Sequence, residues 1–261
     1  MSMRVGPWIV CRYESVDSTQ RVAADLVAAG AAHRTAIVAD RQTAGYGRKG
    51  DTWHDEPGRS LLVTLILKPT EASEMPRLAM IAALAVIDAI ADVGQIHAAI
   101  KWPNDVLLND RKVAGILGDA TWRGSHLEAV RLGIGLNVGG DRASFARRSL
   151  PDATSIAAET GRGIDRDAVL AALLTHVAAR EDRLDRGETA ETVGAWRCAM
   201  TTIGRAVIIT LRDDRVIRGF AEGVTSDGDL IVRTDEGTSL HLAASETRLL
   251  RHVRRETNNS P

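Results

Sequence analysis

Apolar residues fall along the chain in short blocks whose period changes, and each change marks an element boundary. The first block, 8–16, is rich in β-favouring residues and predicts a strand. Asp17, Ser18 and Thr19 follow, then an Ala/Val/Leu segment closed by Gly30, the order of an N-cap, a helix and a C′ glycine. Residues 35–39 and the run SLLVTLIL ahead of Pro69 predict two buried strands, with a glycine-dense stretch from Gly45 to Gly50 between them. Leu78, Ile81, Ala82, Ala85 and Val86 recur at helical spacing and predict a helix over 75–93 with a glycine stop at Gly94. Beyond it, Ile100 leads through KWPND into VLLNDRKVAGIL, where apolar runs flank Asn109, Asp110 and Arg111 as in a hairpin. A strand over 128–137 is followed by a Gly- and Arg-bearing loop over 139–151. Val169, Leu170, Leu173, Leu174 and Val177 then mark one face of a helix over 165–186, and a second helix over 189–200 closes this part.

From Ile203 the texture changes to β-rich runs, RAVIITL, RVIRGFAEGV, GDLIVRT and TSLHLA, separated by Asp- and Gly-bearing turns. Five short strands in about fifty residues predict a small β-barrel. The pattern divides the chain into a larger mixed α and β unit over 1–201, a small β unit over 202–252 and a polar tail over 253–261.

Composition sharpens this picture. With 261 residues, 44% hydrophobic and 26% charged, and 33 Lys+Arg against 34 Asp+Glu, the chain is expected to be a folded, near-neutral protein. Disorder, collagen and a nucleic-acid-coating surface are excluded as classes. The N-terminus lacks a signal peptide's apolar core, and the most apolar helix is interrupted by Asp88 before it could span a bilayer, so the reading is cytoplasmic with no membrane partner. Cys11 and Cys198 fit neither a metal spacing nor a disulfide framework, and read as free buried thiols in a reducing compartment. Five Trp, two Tyr and two Phe make only 3% aromatic, so each ring invites a reason.

Candidate chemistry gathers in a few segments. GYGRKG sets Gly45, Gly47 and Gly50 around Arg48 and Lys49, a backbone suited to an anionic ligand or equally to a hairpin tip. KWPND puts a cation, an indole, a rigid turn residue, an amide and a carboxylate within five positions, Lys101 to Asp105, either as a site or as a turn into a strand. Lys112 opens an otherwise apolar strand with Gly115 beside it, which suits a lysine meeting an anion or one snorkelling to water. In LGIGLNV, Gly133, Gly135 and Asn137 share one strand face, cleared for something flat or packed on a helix.

VDSTQ, RQTAGYGRKGDTW, KWPNDVLLNDRKVAGIL and LGIGLNV, in this order and ahead of a small β-rich segment, resemble the biotin protein ligases over about residues 13–250. The resemblance implies an α+β fold: a mixed, largely antiparallel sheet flanked by helices, as in class II aminoacyl-tRNA synthetases, with an SH3-like barrel after it. It implies that biotin's carboxylate attacks the ATP α-phosphate to give biotinyl-AMP, which a lysine of a biotin carboxyl carrier domain then captures. ATP and biotin would be substrates, with magnesium accompanying ATP; Asp105 is the candidate metal ligand and no further one is identified.

Carried onto this chain, Ser18, Thr19, Gln20 and Gln42 would meet biotin's ureido ring, and Gly45, Tyr46, Gly47, Trp53, Gly115, Gly133 and Gly135 would shape its pocket. Lys112 and Arg48 would be the catalytic cations, on the carboxylate and then the adenylate. Lys49, Lys101, Trp102, Asn104 and Asp105 would serve ATP, and Asn137 the adenine. The stretch GGDRASFARRSLPDATS would order over the adenylate, with Ser155 capping the next helix. Trp53, Trp102 and Tyr46 would thus surround the ligand, leaving Trp8, Trp122 and Trp196 to packing.

Two positions depart from the family's usual Gly-Arg-Gly-Arg-x-Gly loop: Tyr46 stands for the first arginine, and Asp51 stands where a basic residue is common. A motif beginning by Asp17 leaves no room for an N-terminal DNA-binding domain, so a ligase that is not a repressor is expected, as a monomer or weak homodimer without nucleic acid. The alternatives are a lipoate or octanoate enzyme of the same superfamily and a biotin sensor without catalysis.

Overall fold

The structure, a computed structural model, describes residues 2–253, without the side chain of Lys49; the polar tail from 254 onward lies outside the described residues. Its strands are β1 (Ser2–Val5), β2 (Trp8–Val16), β3 (Thr35–Gln42), β4 (Ser60–Leu67), β5 (Ala99–Lys101), β6 (Asp105–Leu108), β7 (Arg111–Arg123) and β8 (His126–Asn137), followed by β9 (Ala206–Leu211), β10 (Val216–Val224), β11 (Leu230–Thr234), β12 (Ser239–Leu242) and β13 (Thr247–His252). The helices are α1 (Thr19–Ala28), α2 (Met75–Gly94), α3 (Arg142–Arg147), α4 (Ile156–Thr160), α5 (Arg166–Asp185) and α6 (Thr189–Cys198).

The first eight strands form one sheet in the order β1-β2-β3-β4-β8-β7-β6-β5. Only β2 and β3 run parallel, because α1 carries the chain back across the sheet between them; the other neighbours are antiparallel. β4 is buried at every position, which explains its unbroken apolar run. Alternation along the strands splits the packing: Ile37 and Ile66 face Ala23 and Val27 of α1, while Val38, Leu65 and Leu67 face the large core shared with α2 and α5. Trp8 is fully buried in that core and donates Nε1–H to the Leu174 carbonyl at 2.8 Å.

Short elements depart from the sequence expectation. β1 pairs with β2 around Gly6, where φ is +55°, and the expected loop over 139–151 contains α3, capped by Asp141 accepting from Ser144 N at 2.7 Å. Six residues are too few to display a helical period. α2 runs through Gly94, and Gln95 takes the left-handed conformation at φ +55°. Gly94 is needed for packing instead, since a Cβ there would meet Ile156 at 3.0 Å. Trp122 is half exposed rather than packed, Cys11 is half-buried and Cys198 exposed, so neither thiol is a core residue.

The last five strands form a second antiparallel sheet, β12-β11-β10-β9-β13. The five strands are the small β unit expected from the sequence, and among the described residues no ladder joins its edge strands β12 and β13. Its apolar face, with Val207, Ile209, Leu230 and Val232, is continuous with the main core. Residues 199–201 lie beside β5, with Ile100 N donating to the Ala199 carbonyl and Thr201 N to that of Ile100, both at 2.8 Å. Among the described residues no helix is long and apolar enough to cross a membrane.

Candidate active site

A cleft of about 230 Å³ opens where the start of α1, the glycine loop, the KWPND turn and β13 converge on β7 and β8. The hairpin joining β6 to β7 brings Lys101, Trp102, Asn104 and Asp105 alongside Lys112 and Gly115, because Asp105 lies opposite Gly115 across the ladder. From the other side, β3 delivers Gln42 and α1 delivers Ser18, Thr19 and Gln20.

The polar end is built from α1. Ser18 caps the helix by accepting from Gln20 N at 3.2 Å. Thr19 donates both its N–H and its hydroxyl to Gln42 Oε1, at 2.7 and 3.0 Å, and its oxygen accepts from Thr64 at 2.9 Å. Gln20 Nε2 donates to the Leu117 carbonyl at 3.0 Å, whereas its buried Oε1 has no protein partner. Such a set of hydroxyls and amides suits a ring that both donates and accepts hydrogen bonds.

Gly115 and Gly135 are direct cross-strand partners, so together they leave one bare patch on the sheet. The flat group on that patch is Trp53: a Cβ at Gly135 would lie 2.5 Å from the indole, and one at Gly115 3.3 Å from both the indole and Lys112 Nζ. Gly133 makes the same kind of room for Gln20, whose amide nitrogen would be 2.8 Å from an added Cβ. Gly45 lies outside the cleft lining and admits the Gln42 side chain.

The glycine loop is a hairpin. Gly47 N donates to the Asp51 carbonyl at 2.7 Å and Trp53 N to that of Gly45 at 3.0 Å, with Tyr46 bridged to Thr52 and a tight turn over Arg48–Gly50 at the tip. Tyr46, Gly47 and Arg48 line the cleft. The Arg48 guanidinium, however, is committed to protein acceptors: Asn104 Oδ1 at 3.1 Å, the Thr247 carbonyl at 3.0 Å and the Ala244 carbonyl. Burial holds it below the ordinary guanidinium range. It therefore clamps the loop to the C-terminal sheet from the wall of the cleft in which a ligand contact is expected of it.

Lys112 Nζ lies 2.6 Å from Asp105 Oδ1 and 5.8 Å from the centre of the Trp53 ring. Asn104 fixes the turn beside it, Nδ2 donating to the Ile116 carbonyl while its own carbonyl accepts from Ile116 N, both at 2.9 Å. A lysine paired to one carboxylate at a cleft wall can exchange that partner for an entering anion.

Asn137 is not brought to the cleft. Its side chain is buried, donating to the Thr154 carbonyl at 3.0 Å and accepting from Ser60 at 3.4 Å, so it secures the segment that leads into α4. Ser155 caps α4, accepting from Ala158 N at 3.0 Å. Trp102 borders the cleft but is 1% exposed, a core residue before it is a ligand platform. The side chain of Lys49 lies outside the described residues.

The sequence reading missed Thr52, Ile116, Leu117 and the β13 residues Arg248, Leu249 and Leu250 as cleft lining. Nothing local signals β13, because it reaches the cleft from more than a hundred residues downstream.

Two family models match the chain: the biotin/lipoate A/B protein ligase family over residues 13–137, and the biotin protein ligase C-terminal domain over 202–252. The biotin--[acetyl-CoA-carboxylase] ligase of Paracoccus denitrificans is 36% identical over 87% of this chain and 95% of its own length. The bifunctional ligase/repressor BirA of Bacillus subtilis is 33% identical over 86% of this chain and 69% of its own. Among solved structures, the biotin protein ligase of Aquifex aeolicus in complex with biotin and ATP superposes with a TM-score of 0.79 at 28% identity, covering 94% of this chain and 99% of that one. With that architecture, those identities and a glycine-loop cleft closed by a C-terminal sheet, the chain belongs to the biotin protein ligase family.

Proposed function

We propose that this chain activates biotin with ATP and transfers it to a lysine of a biotin carboxyl carrier domain. The observation that carries the reading is that Lys112, paired with Asp105, shares one cleft with the Ser18, Thr19, Gln20 and Gln42 set. Biotin's ureido ring would lie against that set, the free Gln20 Oε1 accepting a ureido N–H, and its carboxylate would reach Lys112. In the first step a carboxylate oxygen bonds to the α-phosphorus and pyrophosphate leaves. In the second, the carrier lysine attacks the acyl carbon of the mixed anhydride, AMP leaves and the amine loses a proton.

Lys112 neutralises the approach of two anions and then the charge on the adenylate phosphate, a role that gains strength where water is thin. Trp53 and the loop hairpin cover the anhydride against hydrolysis. Magnesium fits as a passenger on the ATP phosphates: no group of three or more candidate ligands exists among the described residues, and Asp105 is the carboxylate beside Lys112 that could touch it. We place the reaction in the cytoplasm, where ATP is supplied.

ATP–pyrophosphate exchange measured separately with biotin and with lipoate tests the first step, and transfer of labelled biotin to a carrier domain tests the second. Exchange with lipoate alone would assign the site to the other branch of the superfamily, and tight biotin binding without transfer would make it a sensor.

The bare patch yields a further expectation. Gly135→Ala drives a methyl into the Trp53 ring, and overpacking of this kind costs about 1–3 kcal/mol. Biotin binding, followed by calorimetry, should weaken roughly tenfold, and Trp53→Ala added to Gly135→Ala should bring little further loss because both changes act on one contact. Fully additive losses would separate the glycine from the ring.

A further inference from the structure

The glycine loop is held at its tip by Arg48 and on its second arm by Trp53. Its first arm meets a different partner. The guanidinium of Arg21, one turn into α1, lies over the ring of Tyr46 with Cζ 5.8 Å from the ring centre. That guanidinium is not free to wander: Nη1 donates to Asp17 Oδ2 at 3.0 Å, while Asp17 Oδ1 accepts from Ser18 N at 2.6 Å. The Asp17 carbonyl in turn accepts from Ala44 N at 2.9 Å, at the foot of the loop. Asp17, Arg21 and Tyr46 thus link the cap of the polar end of the cleft to the loop that covers it.

The pairing gives the loop's departure from Gly-Arg-Gly-Arg-x-Gly a physical reason. An arginine at position 46 would put a second guanidinium beside that of Arg21, a like-charge contact. A tyrosine there offers the negative face of a ring, which attracts the same guanidinium. In this chain the cation stands on the helix and the ring on the loop, and the contact between them is attractive.

We propose that Arg21 and Tyr46 form a latch holding the first arm of the glycine loop against α1, and that this latch sets how long the biotinyl adenylate is retained. Arg21 is thereby a positioning residue, acting through Tyr46 and its bridge to Thr52 on the arm that carries Trp53. The retention half of the proposal rests on the ligase reading above; the latch itself does not.

The experiment is a double-mutant cycle of Arg21→Ala and Tyr46→Ala with two readouts. One is hydrogen exchange at the amides of Gly47 and Trp53 in the ligand-free chain, and the other is the rate of adenylate release after a single turnover with biotin and ATP. Each single variant is expected to speed both by about two- to fivefold, the range of an exposed cation–ring contact. The double variant should be no faster than either single one, and Tyr46→Phe, which keeps the ring, should leave hydrogen exchange at Gly47 and Trp53 in the ligand-free chain as it is in the unaltered protein. Additive effects, or no change in either readout, would overturn the proposal. If the unaltered chain forms no adenylate, the ligase reading and the retention claim fall together, and the exchange cycle still decides whether the latch exists.

Discussion

Replacing Lys112 by alanine is expected to lower biotin-dependent ATP–pyrophosphate exchange by about 10²–10³-fold, the loss seen when a preorganised charge or donor is removed from a developing anion. Two negative groups must meet in the first step, and Lys112 is the cation whose amino group faces the cleft from the strand that also carries Gly115. Its present partner, Asp105, is 25% exposed and Lys112 itself 39%, so the pair contributes about 1 kcal/mol or less to folding. The variant should therefore unfold within a few degrees of the unaltered protein while losing adenylation. Lys112→Arg should recover part of the rate, since the charge returns but not its compact shape. Exchange within tenfold of the unaltered chain would remove Lys112 from the first step. Loss of activity accompanied by an equal loss of stability would assign it to the fold.

Much of this arrangement was legible in the sequence, and the failures share a cause. Long periodic segments such as β4 and α2 were read correctly because burial on a sheet or helix face imposes its own spacing. KWPND and Lys112 were read as neighbours of the glycine loop; the β6–β7 hairpin joins the first two, and the Arg48 bond to Asn104 brings in the loop. Asn137 shows the limit of phase. It lies on the same strand face as Gly133 and Gly135, but the segment at Thr154 covers it and takes its amide. Periodicity tells which way a residue points and not what lies on top of it.

Arg48 shows the limit of charge, since carbonyls of the C-terminal sheet compete for the guanidinium and burial favours the partner that is always present. Both sets of protein contacts, like the role of β13, join residues far apart in the chain. The bare patch was visible in Gly115 and Gly135, but its occupant, Trp53, was not, because the loop's folded path decides where the ring lands.

The largest stability effect is expected at Trp102, where the motif's indole does structural work. The side chain is fully enclosed between the main sheet and the C-terminal one, and its Nε1–H reaches across to the Gly228 carbonyl at 2.9 Å. Its own backbone N–H donates to Thr202 Oγ1 at 3.0 Å, and that hydroxyl lies 3.1 Å from His252 Nε2. Burial, with Lys101 and Arg205 nearby, pushes His252 down to about 4, so the ring is neutral at neutral pH and Nε2 can accept the Thr202 proton. Trp102→Ala opens a cavity at this seam and strands the Gly228 carbonyl, and buried Trp→Ala changes cost about 3–5 kcal/mol. Trp102→Phe fills most of the space and loses the cross-seam hydrogen bond, a loss of about 1 kcal/mol. Because the same seam carries the carbonyls that hold Arg48, the alanine variant should also release adenylate faster at temperatures where it is still folded. Urea unfolding of both variants, with loop exchange at Gly47 followed in parallel, checks the coupling. A Trp102→Ala loss no greater than that of Trp102→Phe would mean that the two sheets hold together without the indole, and that Trp102 belongs to the ligand after all.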